Sequence, residues 1–225
     1  MDGSGTRTRP WTASRLWLRW VAATALGVVL AFAAFVALFS VIGNPGDALF
    51  PVLMIGFGTV IGAFQQRVLR RRLGDARRWA LATAAGLGAG MALAVAMGLG
   101  GTPGLAAQIT QGAVAGAVNG TVIGTMQWLV LRSQIPGARW WVAASIAGWA
   151  AGAAAGDGVA YFAEGLDLVV APIVAASVTG IALVWFLHSR PGDAPETAPL
   201  ASATPSANPR RRPSSEGSPR DSGRR

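Results

Sequence analysis

A few polar residues stand inside long apolar runs of this sequence, and these are the residues that could carry chemistry. Gln65, Asn119 and Gln127 are amides, and Asp157 is a carboxylic acid. An acid in apolar surroundings could bind and release a proton, and inward-facing amides could line a path for a solute. The structural alternatives are hydrogen bonds between helices for the amides and a place at the membrane interface for the acid. We favour the structural interpretation, because the two glutamines and Asp157 all stand near the ends of their segments.

Other arrangements that support catalysis are missing from the sequence. Cysteine is absent, which removes disulfides, thiolate nucleophiles and cysteine metal sites, and the one histidine, His188, ends an apolar segment. The chain has no Gly-x-Ser-x-Gly motif, no phosphate-binding loop and no pair of metal ligands at a known spacing. We therefore predict that the protein is not an enzyme and that it has no cofactor or metal.

The elements that must position the polar residues are long apolar helices. The sequence is 52% hydrophobic and only 13% charged, whereas about a quarter of the residues are charged in a soluble domain. About 20 apolar helical residues cross the hydrocarbon core of a bilayer. The runs of that length are Trp17–Ile42, Phe50–Leu69, Trp79–Gly100, Ala106–Leu131, Trp140–Phe162 and Leu168–His188. We predict an all-α membrane protein with six transmembrane helices over residues 15–188.

The arginines predict the orientation of these helices. The loops at 70–78 and 132–139 are basic, whereas the loops at 43–49, 101–105 and 163–167 contain no basic residue. Basic loops stay on the cytoplasmic side, so both termini are expected there. The tail at 1–14 is polar and basic, and the tail at 189–225 is rich in proline and predicted to be disordered.

Composition also indicates a compartment and a partner. All 19 basic residues are arginine, and the chain is rich in alanine and glycine, as is typical of a GC-rich bacterial genome. We predict a multi-pass protein of the bacterial inner membrane. The net charge of +9 is attributed to orientation in the membrane, with anionic lipid at the cytoplasmic face as a partner and no nucleic acid.

One stretch of the chain occurs twice. The copies begin Gly58-Thr-Val-Ile-Gly62 and Gly120-Thr-Val-Ile-Gly124, and each continues to a glutamine, a leucine and an arginine. Similar sequences around Trp20, Trp79 and Trp141 begin the first, third and fifth segments. The sixth segment is a weaker match to the fourth. We predict three helical-hairpin repeats around a pseudo-threefold axis, the third split between helix 6 and helix 1, which must then contact each other.

Glycines and tryptophans recur at fixed places within these segments. Glycines four residues apart form a bare stripe on a helix, which allows close packing inside a membrane. We predict that role, and a closed glycine-rich centre, for Gly58, Gly62, Gly86, Gly90, Gly112, Gly116, Gly120, Gly124, Gly148, Gly152 and Gly156. An aromatic belt at the cytoplasmic interface is predicted for Trp17, Trp20, Trp79, Trp140 and Trp141.

The run Gln127-Trp-Leu-Val-Leu-Arg132, followed by Arg139-Trp-Trp141, resembles a motif repeated in a group of uncharacterised bacterial multi-pass membrane proteins. The resemblance covers roughly the second to fifth segments and implies the helical membrane fold. Our main functional hypothesis is a structural or accessory membrane component that associates with an unidentified membrane protein. The alternative is a small permease or channel. A cavity that reaches Asn119 and the glutamines would favour the permease, and a closed centre would favour the accessory role.

Overall fold

The computed structural model describes residues 13–43, 49–73, 76–99, 104–163 and 165–188. Both predicted tails lie outside these residues, except for the last two positions of the first. The described part is entirely helical apart from turns: α1 (Ala13–Ile42), α2 (Phe50–Leu69), α3 (Trp79–Ala96), α4 (Leu105–Leu131), α5 (Trp140–Ala160) and α6 (Asp167–His188). The predicted bounds are close to these, with the largest differences at the start of α1 and the end of α3.

Five of these helices are long and apolar enough to cross a membrane, namely α1, α2, α3, α4 and α6. The fifth helix, α5, does not reach the same apolar character, although it has 21 residues. Its sequence is rich in alanine and glycine and includes Asp157, so fewer large apolar side chains contribute. Length and composition thus account for five of the six predicted spans.

The six helices form a closed ring. Each helix contacts the one before and the one after it in the chain, and α1 also contacts α6. The expected contact between helix 6 and helix 1 is therefore present. Close backbone approaches between the described helices join only neighbours in the ring, so the interior is enclosed by all six.

A glycine stands at each interface of the ring and faces the next helix. A Cβ atom added at Gly62 would lie 2.7 Å from the Ala80 Cα, and one at Gly86 would lie 2.7 Å from the Ile123 Cα. Carbon atoms in good contact are about 3.5–4.0 Å apart, so no side chain fits. The facing pairs, taken around the ring, are Gly27 with Ile61, Gly58 with Ala84, Gly90 with Asn119, Gly120 with Ser145, Gly152 with Ala171, and Gly180 with Trp17.

The prediction of a closed glycine-rich centre is wrong. The nearest atoms to these glycines belong to the neighbouring helix, because each stripe is turned along the ring and not toward its axis. Large side chains fill one half of the interior, and a cavity occupies the other half. A sequence shows that a stripe is bare, but it does not show which helix the stripe faces.

Candidate functional site

Three tryptophans form a triangle inside the ring. The ring centroids of Trp20, Trp79 and Trp141 are 5.9, 6.0 and 5.6 Å apart, and each pair meets edge to face. This is a favourable arrangement for aromatic rings, since the positive edge of one meets the negative face of another. The triangle lies where α1, α3 and α5 begin and where α2, α4 and α6 end, and we call this the tryptophan end of the bundle.

The predicted aromatic belt is wrong for these three residues. Trp20, Trp79 and Trp141 are at most 1% exposed, whereas Trp140 is 57% exposed. Adjacent residues on a helix point about 100° apart, so of two neighbouring tryptophans one faces the ring interior and the other faces outward. Burial of an indole requires a partner for its N–H group.

Glutamines provide that partner at two corners of the triangle. The Trp79 Nε1 donates to Gln65 Oε1 at 3.0 Å, and the Gln65 Nε2 donates to Thr24 Oγ1 at 3.0 Å. The same pattern recurs in the second copy of the repeat, where the Trp141 Nε1 donates to Gln127 Oε1 at 2.9 Å. The Gln127 Nε2 in turn donates to Thr83 Oγ1 at 3.0 Å. Each glutamine thus joins the two helices on either side of its own.

The third corner differs in a specific way. The Trp20 Nε1 donates to Thr179 Oγ1 at 3.2 Å instead of to a glutamine. Alignment of Gly180 with Gly124 places Leu183 where the glutamine would stand. Ser145, which corresponds to Thr83, is 1% exposed, and its Oγ has no hydrogen-bond partner among the described residues. The missing amide therefore leaves a neighbouring hydroxyl unpaired.

Apolar side chains close the tryptophan end around the triangle. They come from the ends of α2, α4 and α6 and from the turns that follow the first two, and all are at most 5% exposed. The members are Leu69, Leu73, Leu131, Ile135, Leu183 and Phe186. This end is a packed layer.

A cavity of about 670 Å³ occupies the opposite half of the interior. Residues of α2, α3, α4, α5 and α6 line it, and most of the lining is apolar, including Met54, Met91 and Trp149. Two residues at its rim, Val95 and Leu168, are 47% and 37% exposed, so the cavity reaches the surface of the bundle. We call this half the carboxylate end, because Asp157 and Asp167 both line the cavity there.

The polar groups of this cavity are oxygen acceptors and amides. The Asn119 side chain is 5% exposed, and its Oδ1 accepts no hydrogen bond from the described part of the chain. The Oε1 of Gln111 is also buried and unpaired among those residues. Asn119 Oδ1 lies against Gly90 of α3. Gln108, Asp157 and Asp167 complete the polar part of the lining, which includes no arginine, lysine or histidine.

A second and much smaller cavity, of about 30 Å³, lies between the large cavity and the triangle. Gln65 and Gln127 line it, and so do Leu87, Trp149 and Pro172, which also line the large cavity. A volume of this size holds about one water molecule. Beyond it, the tryptophans close the interior.

The four polar residues singled out from the sequence therefore fall into two separate pairs. Gln65 and Gln127 are held in hydrogen bonds at the tryptophan end, as the structural alternative expects. Asn119 and Asp157 line the large cavity instead. The glutamines form no hydrogen bond with either of them in the described part of the chain.

Sequence reasoning missed three further polar residues of the cavity lining, Gln108, Gln111 and Asp167. A signal for the first two was present, since Gln108, Gln111, Ala115 and Asn119 are spaced as residues on one face of a helix. Asp167 carried no such signal, because only the packing of α6 against α5 brings it to the rim near Asp157. Gly156 shows this packing, because a Cβ atom there would lie 3.3 Å from the Asp167 Cα.

Comparison with known proteins adds no further information about this arrangement. No protein-family model, curated protein or solved structure matches the chain. Function is therefore inferred from the geometry of the two ends.

Proposed function

We propose that this protein binds a small solute in the large cavity and acts as a small permease of the membrane. The observation that carries this proposal is the cavity itself, with two carboxylates and three amide side chains in its lining. Sites for small molecules have volumes of about 300–1,000 Å³ and combine an apolar wall with a few polar groups. The cavity of about 670 Å³ fits that description.

The polar residues of the lining support a ligand. A wall formed only for packing would be apolar throughout, because a polar group in apolar surroundings costs free energy unless it is hydrogen-bonded. Five polar side chains line this one volume, namely Gln108, Gln111, Asn119, Asp157 and Asp167. Solute binding gives them a role.

The proposed architecture is six membrane-spanning helices in three hairpin repeats. The hydrogen bonds of Gln65 and Gln127 recur at matching positions of the two sequence copies, which supports equivalence of the two units. The turns repeat as well, since Leu73 and Ile135 donate their backbone N–H groups to Leu69 and Leu131. The contact of α6 with α1 supports a third, split unit. The fifth helix lies between α4 and α6 in the ring, which supports the proposal that α5 crosses the membrane alongside them.

The proposed location is the bacterial inner membrane with both termini in the cytoplasm. The arginine-rich turns lie at the tryptophan end, which supports a cytoplasmic position for that end. The large cavity would then open away from the cytoplasm. Passage of a solute would require the tryptophan triangle to separate, so the structure corresponds to a state open on one side.

A transport assay with a matched variant tests this proposal. Ala115 lines the cavity, and Ala115→Phe would fill part of its volume. Small molecules extracted from the purified protein would be compared by mass spectrometry with those from the variant, and enriched compounds would be assayed for uptake into proteoliposomes. A compound present only with the wild type and taken up by it supports a permease. Identical extracts from two equally folded proteins would exclude solute binding.

A second candidate function is the structural or accessory role. The specific observation that favours it is the packed layer at the tryptophan end, which leaves no open passage through the described residues. In that case a membrane protein partner should co-purify from the native membrane. The Ala115→Phe variant should retain that partner, because the outer surface of the ring is unchanged.

Anionic lipid is the proposed partner at the cytoplasmic face. A groove of about 520 Å³ between α1 and α2 is lined by Arg19, Arg67, Arg71 and Arg72 beside apolar residues. Each arginine near a membrane surface contributes about 1 kcal/mol of attraction to anionic lipid. Native mass spectrometry should show retained phosphatidylglycerol, and Arg67→Gln with Arg71→Gln should reduce it. Equal retention by the double variant and the wild type would contradict this site.

A further inference from the structure

We infer that the large cavity selects a protonated organic amine with an apolar body. This inference rests on the proposed function and specifies the ligand of the same site. It follows from the kinds of polar atoms in the lining, the sign of their charge and the nature of the remaining wall.

The acceptors that a ligand can reach in the cavity are the two carboxylates. Asp157 and Asp167 both line it, and an ionised carboxylate can only accept hydrogen bonds. A ligand with N–H groups therefore complements them, whereas a carboxylate or phosphate ligand would add acceptors of the same charge. The oxygens of Asn119 and Gln111 are buried in the protein, and Asn119 Oδ1 lies against Gly90 of α3.

The charge of the lining has one sign. On α5 and α6 the polar lining residues are Asp157 and Asp167, and on α4 they are Gln108, Gln111 and Asn119. The lining residues of α2 and α3 are all apolar. No positive side chain of the described chain faces the two carboxylates across the cavity. A cationic ligand would neutralise this charge, and a charge-assisted hydrogen bond to a carboxylate is stronger than a neutral one.

The acidic and amide groups near the rim form one layer. Gly112 of α4 contacts the Asp157 carboxylate, and Gln111 precedes Gly112 in the chain. Asn119 stands seven residues further along α4, which is about 10 Å deeper at a rise of 1.5 Å per residue. An ammonium group fits at the rim beside the two aspartates, and the apolar body of the ligand would extend along α4 toward Asn119.

The cavity wall between the rim and Asn119 suits an organic cation and not a bare metal ion. Met91 and the rings of Phe57 and Trp149 line the volume. Aromatic faces attract organic ammonium groups, and an apolar body displaces water from such a wall. Among the described residues, no group of three histidine, cysteine or acidic side chains is placed to hold a metal ion.

A matched set of probes tests this assignment on the full-length protein in nanodiscs of zwitterionic lipid. Phenylbutylamine, phenylbutanol and phenylbutyrate share one apolar body and differ in the charge of the head group. We expect the amine to bind at least about tenfold more tightly than the alcohol and the carboxylate not to bind, as measured by calorimetry. The Ala115→Phe variant corrects for partition of the probes into lipid.

Variants of the rim residues then identify the groups that cause the preference for a positively charged ligand. Asp157→Asn should remove the preference for the amine and leave the affinity for the alcohol unchanged, and Asp167→Asn serves the same purpose if the first variant does not fold. Gln134→Met, a substitution in the turn after α4 and outside the cavity lining, should leave amine binding unchanged.

Each contrary result has a separate meaning. Equal affinity for the amine and the alcohol would overturn the cationic ligand while solute binding stands. Binding of sodium or calcium ions that depends on Asp157, without amine binding, would also overturn it. If no probe binds and the extracts of wild type and Ala115→Phe are identical, both this inference and the proposed function fail.

Discussion

The two ends of the bundle use similar residues for opposite purposes. At the tryptophan end, Gln127 donates one hydrogen bond and accepts another inside a packed layer. At the carboxylate end, the amide of Asn119 is equally buried, but its oxygen lies against Gly90 of α3 and has no hydrogen-bond partner among the described residues. The difference lies in the surroundings, because an indole and a threonine hydroxyl face Gln127, whereas a glycine without a side chain faces the Asn119 oxygen.

This comparison separates stability from function within one ring. Hydrogen bonds that are complete within the protein hold its helices together, and a buried group without a partner does not contribute to stability. Removal of a partnered group should therefore destabilise the protein, and removal of an unpartnered one should not. Four substitutions test this, from the largest expected effect to the smallest.

Gly120→Leu should have the largest effect, because Gly120 lies between the two ends and its loss should disrupt both. A Cβ atom there would lie 2.6 Å from the Ser145 carbonyl oxygen and 3.0 Å from the Ile146 Cα. Backbone atoms cannot move away unless α4 and α5 separate, so we expect a loss of about 3 kcal/mol or more. The free energy of unfolding in detergent measures this. Gly56→Leu is the control, since nothing lies within 4 Å of that position.

Gln127→Leu should destabilise the tryptophan end. The Trp141 Nε1 would lose its acceptor, and Thr83 Oγ1 would lose the donor on Gln127. Buried polar groups left unpaired in this way cost about 1–3 kcal/mol. A free energy of unfolding equal to that of the wild type would show that these hydrogen bonds contribute nothing to the fold.

Asn119→Leu makes the same kind of change at the other end and should have the opposite sign. It removes an unpaired acceptor, so we expect the free energy of unfolding to stay equal or to rise by about 1 kcal/mol. A destabilisation as large as that of Gln127→Leu would contradict the distinction between the two ends.

Leu183→Gln should have the smallest effect, although it buries a polar side chain. At this corner Ser145 Oγ has no partner among the described residues, and an amide at position 183 could donate to it, as Gln127 donates to Thr83. We expect the free energy of unfolding to stay within about 1 kcal/mol of the wild type. Leu131→Gln, at an equally buried position of the same layer, should cost about 2–5 kcal/mol. Equal losses for both would show that Ser145 does not need the donor.

Much of the fold could be predicted from the sequence, because a helix that crosses a lipid bilayer requires a long run of apolar residues. The apolar runs gave helix bounds within four residues of those observed, as at Trp17 against Ala13 for α1. The internal repeat pointed to equivalent hairpins, and its glutamines were correctly assigned to hydrogen bonds between helices. The spacing of Gln108, Gln111 and Asn119 could also have indicated one polar face of α4.

Burial and enclosure required the tertiary structure. Tryptophans at the start of a helix suit both a membrane interface and a protein core, and only the closed ring turns Trp20, Trp79 and Trp141 inward. The sequence by itself determined the helices, their small-residue stripes and their polar residues, since these depend on neighbours in the chain. The tertiary structure decided which stripe meets which helix and brought Asp167 beside Asp157. A cavity depends on how several distant helices fit together, and no local pattern contains that information.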